Sequence, residues 1–154
     1  MRVGEVAPDF ELLNDEAKPI RLSHYRGKRV VVVFFYPADD TPGCTTESCG
    51  FRDAYEEFKD AGAEVFGVSQ DSIASHQAFR AKYRLGFSLL SDEGNGLRRL
   101  WGVPKRLMLI PGRVTYVIDR KGVVQMIFSS GREHLRHVTE ALVVVRRLAA
   151  DSGA

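Results

Sequence analysis

Two cysteines five residues apart, Cys44 and Cys49, close the run P-A-D-D-T-P-G-C-T-T-E-S-C that begins at Pro37. A thiol pair offers nucleophilic and redox chemistry, because a thiolate attacks and a second thiol can displace at the oxidised sulfur. Thr41 is suited to the N-cap of a helix and Pro42 to its first position. Cys44 then falls in the first turn, among backbone N–H groups without helical partners and at the positive end of the helix dipole. Both favour a thiolate, but they are not enough. Lowering a thiol pKa from about 8.5 to about 6 takes roughly 3 kcal/mol, of which the dipole supplies about a third. Asp39 and Asp40 lie close by, and their charge would oppose ionisation. A reactive Cys44 therefore requires a cation from elsewhere in the fold, and an arginine fits best.

Helical spacing places Cys44 with Ser48, Phe51, Tyr55 and Phe58 on one stripe, facing a sheet, so the thiol should sit in an apolar recess. Cys49 lies about 140° further round. In an intact helix its Cα would be roughly 8–9 Å from that of Cys44, beyond the limit of about 7 Å for a disulfide. Any bridge between them needs local unwinding, and Gly50 weakens the helix there by up to about 1 kcal/mol. Other chemistries fit less well. A zinc site needs about four ligands, and no histidine neighbours the pair. A dithiol reductase of the common kind would show C-x-x-C rather than C-x-x-x-x-C. His134 and His137, one turn apart, read as surface residues of a terminal helix, and none of the four histidines stands in a hydrolase-like motif. An inert buried cysteine is a better account of Cys49 than of Cys44. A peroxide sensor, a redox-gated chaperone and a thiol–disulfide oxidoreductase also remain open on these residues alone.

The elements that must position these residues follow from hydrophobic pattern. Arg29 to Tyr36 is a nearly continuous β-branched and aromatic run, expected as a strand buried on both faces. A loop to Gly43, a helix from about Thr45 to Ala61 and a strand over Ala63 to Ser69 come next. A second helix capped by Asp71 or Ser72 runs to about Leu85, and a short one passes through Leu97, Leu100 and Trp101. Arg113 to Asp119 and Val123 to Phe128 are strands joined by a turn. An amphipathic helix ends the chain, with Leu135, Val138, Leu142, Val145 and Leu148 on its apolar stripe. Alternating strands and helices followed by a hairpin imply an α/β, thioredoxin-like fold: a mixed central sheet flanked by helices, behind an N-terminal extension. With 154 residues, one domain over 1–154 is expected. A net charge of +2 calls for neither nucleic acid nor membrane as partner. No signal-like segment is apparent, so a reducing, cytoplasmic setting is expected, where close cysteines are more often catalytic or metal-binding than structural.

In these motifs the sequence resembles the peroxiredoxins. Pro37, Thr41 and Cys44 match their P-x-x-x-T-x-x-C signature, and a second cysteine five positions on is similar to the Q type, also called bacterioferritin comigratory protein. G-E-V-A-P-D-F from Gly4, G-V-S-Q-D-S from Gly67, L-L-S-D from Leu89 and G-R-V-T-Y-V-I-D from Gly112 extend the likeness over most of the chain. From Trp101 to Pro111 it is looser, so Arg113 is anchored by the residues after it. The resemblance implies that Cys44 is the peroxidatic cysteine and Cys49 the resolving one. It implies that Thr41 hydrogen-bonds thiolate and peroxide, that Pro37 shields the pocket, and that Arg113 stands beside the sulfur. Glu47 matches an often acidic position, although helix capping and surface solubility explain it equally well. The activity implied is reduction of hydrogen peroxide and organic hydroperoxides through a Cys44 sulfenate and a Cys44–Cys49 disulfide. Thioredoxin or a similar dithiol would recycle it, with no cofactor or metal, in a monomer.

Overall fold

The computed structural model describes residues 1–103, 105–106 and 110–151. In chain order it contains β1 (Glu11–Asn14), β2 (Pro19–Arg21), β3 (Val30–Phe35), α1 (Pro42–Asp60), β4 (Ala63–Ser69), α2 (Ile73–Tyr83), β5 (Ser88–Ser91), α3 (Gly96–Leu100), β6 (Lys105–Arg106), β7 (Ile110–Pro111), β8 (Val114–Ile118), β9 (Val124–Ser129) and α4 (His134–Asp151). Seven strands pair in the order β2-β1-β5-β4-β3-β8-β9, while β6 and β7 form a separate ribbon. Strands β3, β4 and β5 are parallel, and the flanking pairs are antiparallel. This is the thioredoxin-like mixed sheet the pattern implied.

The apolar run of β3 occupies the middle of the sheet, and all six of its residues are buried. Its alternation divides the core. Val30, Val32 and Phe34 face Phe51 and Phe58 of α1, Phe79 of α2, and Val138, Ala141 and Val145 of α4. Val31, Val33 and Phe35 face Leu97, Trp101, Tyr116 and the N-terminal Ala7 and Phe10 on the opposite side. Phe34 stacks on Phe51 with ring centroids 4.3 Å apart, which fixes the start of α1 against the end of β3.

Several elements differ from expectation. Helix α1 begins at Pro42 with Thr41 in the N-cap position, as the T-P-G-C turn implied, three residues before the stretch read as helical from pattern alone. The lead-in is a hairpin, β1–β2, whose first strand pairs with β5. Strand β5 went unread: S-L-L-S is short and follows Gly86, yet it lies parallel to β4 inside the sheet. The stripe of α4 also turns. His137, Val138, Ala141 and Val145 are the buried residues, while Leu135 is 55% exposed. Part of the stretch of looser family likeness, Pro104 and Leu107 to Leu109, lies outside the described residues. Among the described residues no helix is long and apolar enough to cross a membrane.

Two close approaches depend on glycine. A Cβ on Gly67, in β4, would lie 2.8 Å from both Leu89 Cδ2 and Phe34 Cζ. A Cβ on Gly50, in α1, would lie 2.8 Å from Leu135 Cδ2 and 3.1 Å from Val138 Cγ2, so α4 packs directly on the α1 backbone there. Gly67→Ala should destabilise the reduced protein by roughly 1–3 kcal/mol through overpacking. At about 2–4 °C per kcal/mol for a chain of this size, thermal unfolding should show the loss; an unchanged Tm would contradict this packing.

Candidate active site

The loop between β3 and α1 is tied to its surroundings through its acidic residues. Asp39 accepts hydrogen bonds from Tyr36 Oη (2.6 Å), Ser75 Oγ (2.8 Å) and His76 Nδ1 (2.8 Å), and its backbone N–H donates to Asp71. His76 reaches the carbonyl of Leu90 in β5 with its other nitrogen, at 3.0 Å. Asp40 takes the left-handed backbone conformation (φ 59°) and binds Lys82 Nζ and Tyr83 Oη, each at 2.7 Å. Asp40 is thus paired with Lys82 of α2, and Asp39 with the His76 ring of α2. Asp39, Asp71 and His76 also bring one ligand-type atom each within 4.8 Å of one another. Those atoms already hold this loop through hydrogen bonds, and three such groups fall short of a closed structural metal site.

Pro37 follows Tyr36 at the end of β3 and is half-buried, as is Thr41. Thr41 occupies the N-cap of α1, but its side chain does not cap the helix. Its hydroxyl donates to the carbonyl of Ala38 at 3.1 Å. With that proton engaged, Thr41 offers only lone pairs, which suit the proton of a hydroperoxide and not a thiolate. Cys44 is completely buried in the first turn, and Cys49 is half-buried in the second. Both are free thiols, carried by an unbroken helix.

Arg113, immediately before β8, provides the cation that the energetics of the thiol demand. Its Nη2 lies 3.3 Å from Cys44 Sγ and its Nη1 3.4 Å from Glu47 Oε1. Only 8% of Arg113 is exposed, so the interaction works with little screening. A guanidinium is suited to this place because its fork holds two acceptors at once. Gly43 allows the approach: a Cβ there would lie 3.1 Å from Arg113 Nη2 and 2.8 Å from His134 Cε1. A second buried arginine, Arg98 of α3, donates to the carbonyls of Gly112 (2.7 Å) and Tyr36 (3.1 Å), joining the residue before Arg113 to the end of β3. Asp92 holds the start of α3 by accepting from the N–H groups of Leu97 and Arg98.

Two expectations are corrected here. Glu47 is neither a cap nor a surface residue; it is completely buried beneath Cys44, where it meets Arg113. Burial pushes its carboxyl up to about 8, against the opposing pull of Arg113. His137 is not on the surface either. It is fully buried, accepting at Nδ1 from Thr115 Oγ1 (2.8 Å) and donating from Nε2 to the carbonyl of Ser130 (2.8 Å). Desolvation is the main cause that pulls it down to about 4, so it stays neutral. Arg98 was missed altogether, since it works on backbone carbonyls and no sequence spacing signals that.

Comparison with known proteins agrees with this arrangement. Residues 3–127 match the AhpC/TSA family. A chloroplastic peroxiredoxin Q from Triticum aestivum is 53% identical over 94% of this chain and 67% of its own length. This chain belongs to that family, as a peroxiredoxin of the Q type. Among solved structures, the peroxiredoxin fold is shared with the peroxidoxin BcpB of Mycobacterium tuberculosis, at TM-score 0.89 and 37% identity over 96% of this chain and 98% of that one. It is shared also with the bacterioferritin comigratory protein of Xanthomonas campestris, at TM-score 0.86 and 29% identity over 97% and 98%. The peroxiredoxin is an enzyme, a thiol peroxidase that acts on hydroperoxides with a thiol reductant.

The two perturbed groups give opposite pH dependences. Glu47 binds its proton more tightly in the folded state, about 8 against 4.5, so its contribution to stability is full below pH 4.5 and is lost as pH rises toward 8. His137 binds its proton less tightly when folded, about 4 against 6.5, so its contribution is full above pH 6.5 and is lost as pH falls toward 4. The slopes oppose one another up to pH 6.5, and only that of Glu47 continues to pH 8. The denaturation midpoint of the reduced protein should therefore fall between those two pH values, and Glu47→Gln should flatten the fall. Equal slopes in the two proteins would contradict a buried, proton-holding Glu47.

Proposed function

We propose that the chain reduces hydrogen peroxide and organic hydroperoxides through a Cys44 sulfenate and an intramolecular Cys44–Cys49 disulfide, and that thioredoxin or a similar dithiol protein restores the thiols. The observation that carries this reading is the 3.3 Å contact between Arg113 Nη2 and the buried Sγ of Cys44, in the first turn of α1. The Cys44 thiolate attacks the terminal peroxide oxygen, and the O–O bond breaks toward the alkoxide. Arg113 stabilises charge as it moves from sulfur to oxygen, and the lone pairs of Thr41 accept a hydrogen bond from the hydroperoxide O–H. Pro37 covers the pocket at the end of β3.

The sulfenic acid is then attacked by Cys49, water leaves, and the disulfide forms. Both cysteines lie on one helix at a separation too great for a bridge, so the first two turns of α1 unwind in this step. That releases Cys44 and Glu47 from Arg113, and Gly43 and Gly50 from α4. Because both thiols belong to one chain, the cycle requires no second subunit, and we read the working unit as a monomer in a reducing compartment, the cytoplasm. A role toward organic hydroperoxides is supported by the structures of the Xanthomonas campestris relative, which concern alkyl peroxide reduction.

Cys44→Ser should abolish rapid peroxide consumption in single and multiple turnovers. Cys49→Ser should consume one equivalent and then stall with thioredoxin as reductant. Full multiple-turnover activity in Cys44→Ser would overturn the assignment. Arg113→Lys keeps the charge but loses the fork, and should lower the second-order rate constant with peroxide by about 100-fold, the scale of losing one preorganised donor. An unchanged rate constant, measured by stopped-flow, would remove Arg113 from the chemistry.

A further inference from the structure

Among the described residues, one guanidinium in the pocket below Cys44 touches two groups that can each become negative. Arg113 directs Nη2 to Cys44 Sγ and Nη1 to Glu47 Oε1, and all three side chains are buried. Arg113 is the cation in contact with both, and buried Arg98 adds a coulombic attraction to Cys44 alone. A second anion would rest on a guanidinium whose donors are already shared, at high cost. Cys44 and Glu47 therefore share a single proton, as a coupled pair.

Among the described residues, the groups packed against this pair come from α3, α4 and β8. From α4, His137 Nε2 comes within 3.5 Å of Glu47 Oε2, but its N–H is directed at Ser130 and its Nδ1 is satisfied by Thr115 of β8. His134, also from α4, lies over Gly43. Arg98 donates to the carbonyls of Gly112 and Tyr36 and keeps its charge, which attracts Cys44 rather than Glu47. Glu47 Oε2 accepts no hydrogen bond from the described residues. A carboxylate with one bare oxygen is poorly solvated there, whereas a carboxylic acid can carry its proton on that oxygen.

We infer that Glu47 supplies the proton that leaves with the product alcohol: it is the neutral acid while Cys44 is a thiolate, and becomes the anion facing Arg113 once Cys44 is oxidised. This rests on the reading of Cys44 as the reacting thiol. In the step, sulfur gives an electron pair to the terminal oxygen, the S–O bond forms, the O–O bond breaks, and the second oxygen leaves as alkoxide or hydroxide. That product takes the Glu47 proton and departs as alcohol or water. Net charge around Arg113 is the same before and after, so oxidation leaves no uncompensated charge in the pocket. When a dithiol later reduces the Cys44–Cys49 disulfide, its two hydrogens go to Cys49 and Glu47, with Cys44 again the thiolate. Glu47 stores the proton of the pocket and balances its charge, and the stoichiometry is the same whatever route the proton takes.

The test counts protons. In Cys49→Ser the cycle stops at the neutral sulfenic acid, which is quantified by the mass of its dimedone adduct on Cys44. Proton uptake during a hydrogen peroxide pulse is read with a pH-indicator dye in weak buffer, at a pH where thiolate absorbance in the Glu47→Gln, Cys49→Ser variant is fully developed. Close to zero protons per sulfenic acid is expected for Cys49→Ser, and close to one for the double variant, in which the product must draw on solvent. Equal uptake in both, at either value, would overturn the proposal while leaving Cys44 as the reacting thiol. No adduct on Cys44 in Cys49→Ser would take down both readings. Should the double variant misfold, infrared difference spectra of Cys49→Ser before and after oxidation decide the matter. Loss of a protonated carboxyl band supports the proposal, and its persistence overturns it.

Discussion

A thiolate can be kept inside a protein only where a fixed positive charge replaces the water it has given up. Here the guanidinium of Arg113 lies against the sulfur, and much of the architecture serves to hold it in place. Arg113 lies where β8 begins, beside the central strand, so its backbone is set by sheet pairing. Arg98 fastens Gly112 to the end of β3, and Gly43 leaves room for the guanidinium to approach the helix. Helix, sheet and loop converge on Arg113, which meets Cys44 through Nη2 and Glu47 through Nη1.

The loop before the helix shows how charge near a thiol can be made harmless. Two adjacent aspartates precede Thr41, and either one free would compete with the sulfur for the cation. Each is directed onto α2 instead, Asp39 through Ser75 and His76 with Tyr36 of the β3 end beside them, and Asp40 through Lys82 and Tyr83. The same bonds set the path of the chain between Pro37 and Thr41. Negative charge thus becomes a means of anchoring the loop rather than a burden on the nucleophile.

The sequence made the central parts legible because their signals are local. The V-V-V-V-F-F run announces a strand buried on both faces, and T-P-G-C announces a helix start with a cysteine in its first turn. The need for an arginine came from energetics, while its identity as Arg113 came from the family pattern around G-R-V-T-Y-V-I-D and not from spacing. Glu47, His137 and Arg98 were misread or missed for one physical reason. Each is a polar group whose burial is tolerated only because of partners far away in sequence, and helical periodicity gives polar residues to the surface by default. Strand β5 escaped because its four residues are identified as a strand mainly by the neighbours it pairs with, β4 and β1.

Gly43 and Gly50 bracket the two cysteines, and α4 lies against both. While that contact holds, the absence of side chains lets the helices nest, and the backbone of α1 is confined. Once the contact is lost, the same two positions become the freest in the segment, since glycine regains more conformational entropy than any other residue. The stretch that carries sulfur to sulfur therefore has a swivel at each end, locked by the neighbouring helix and released together with it.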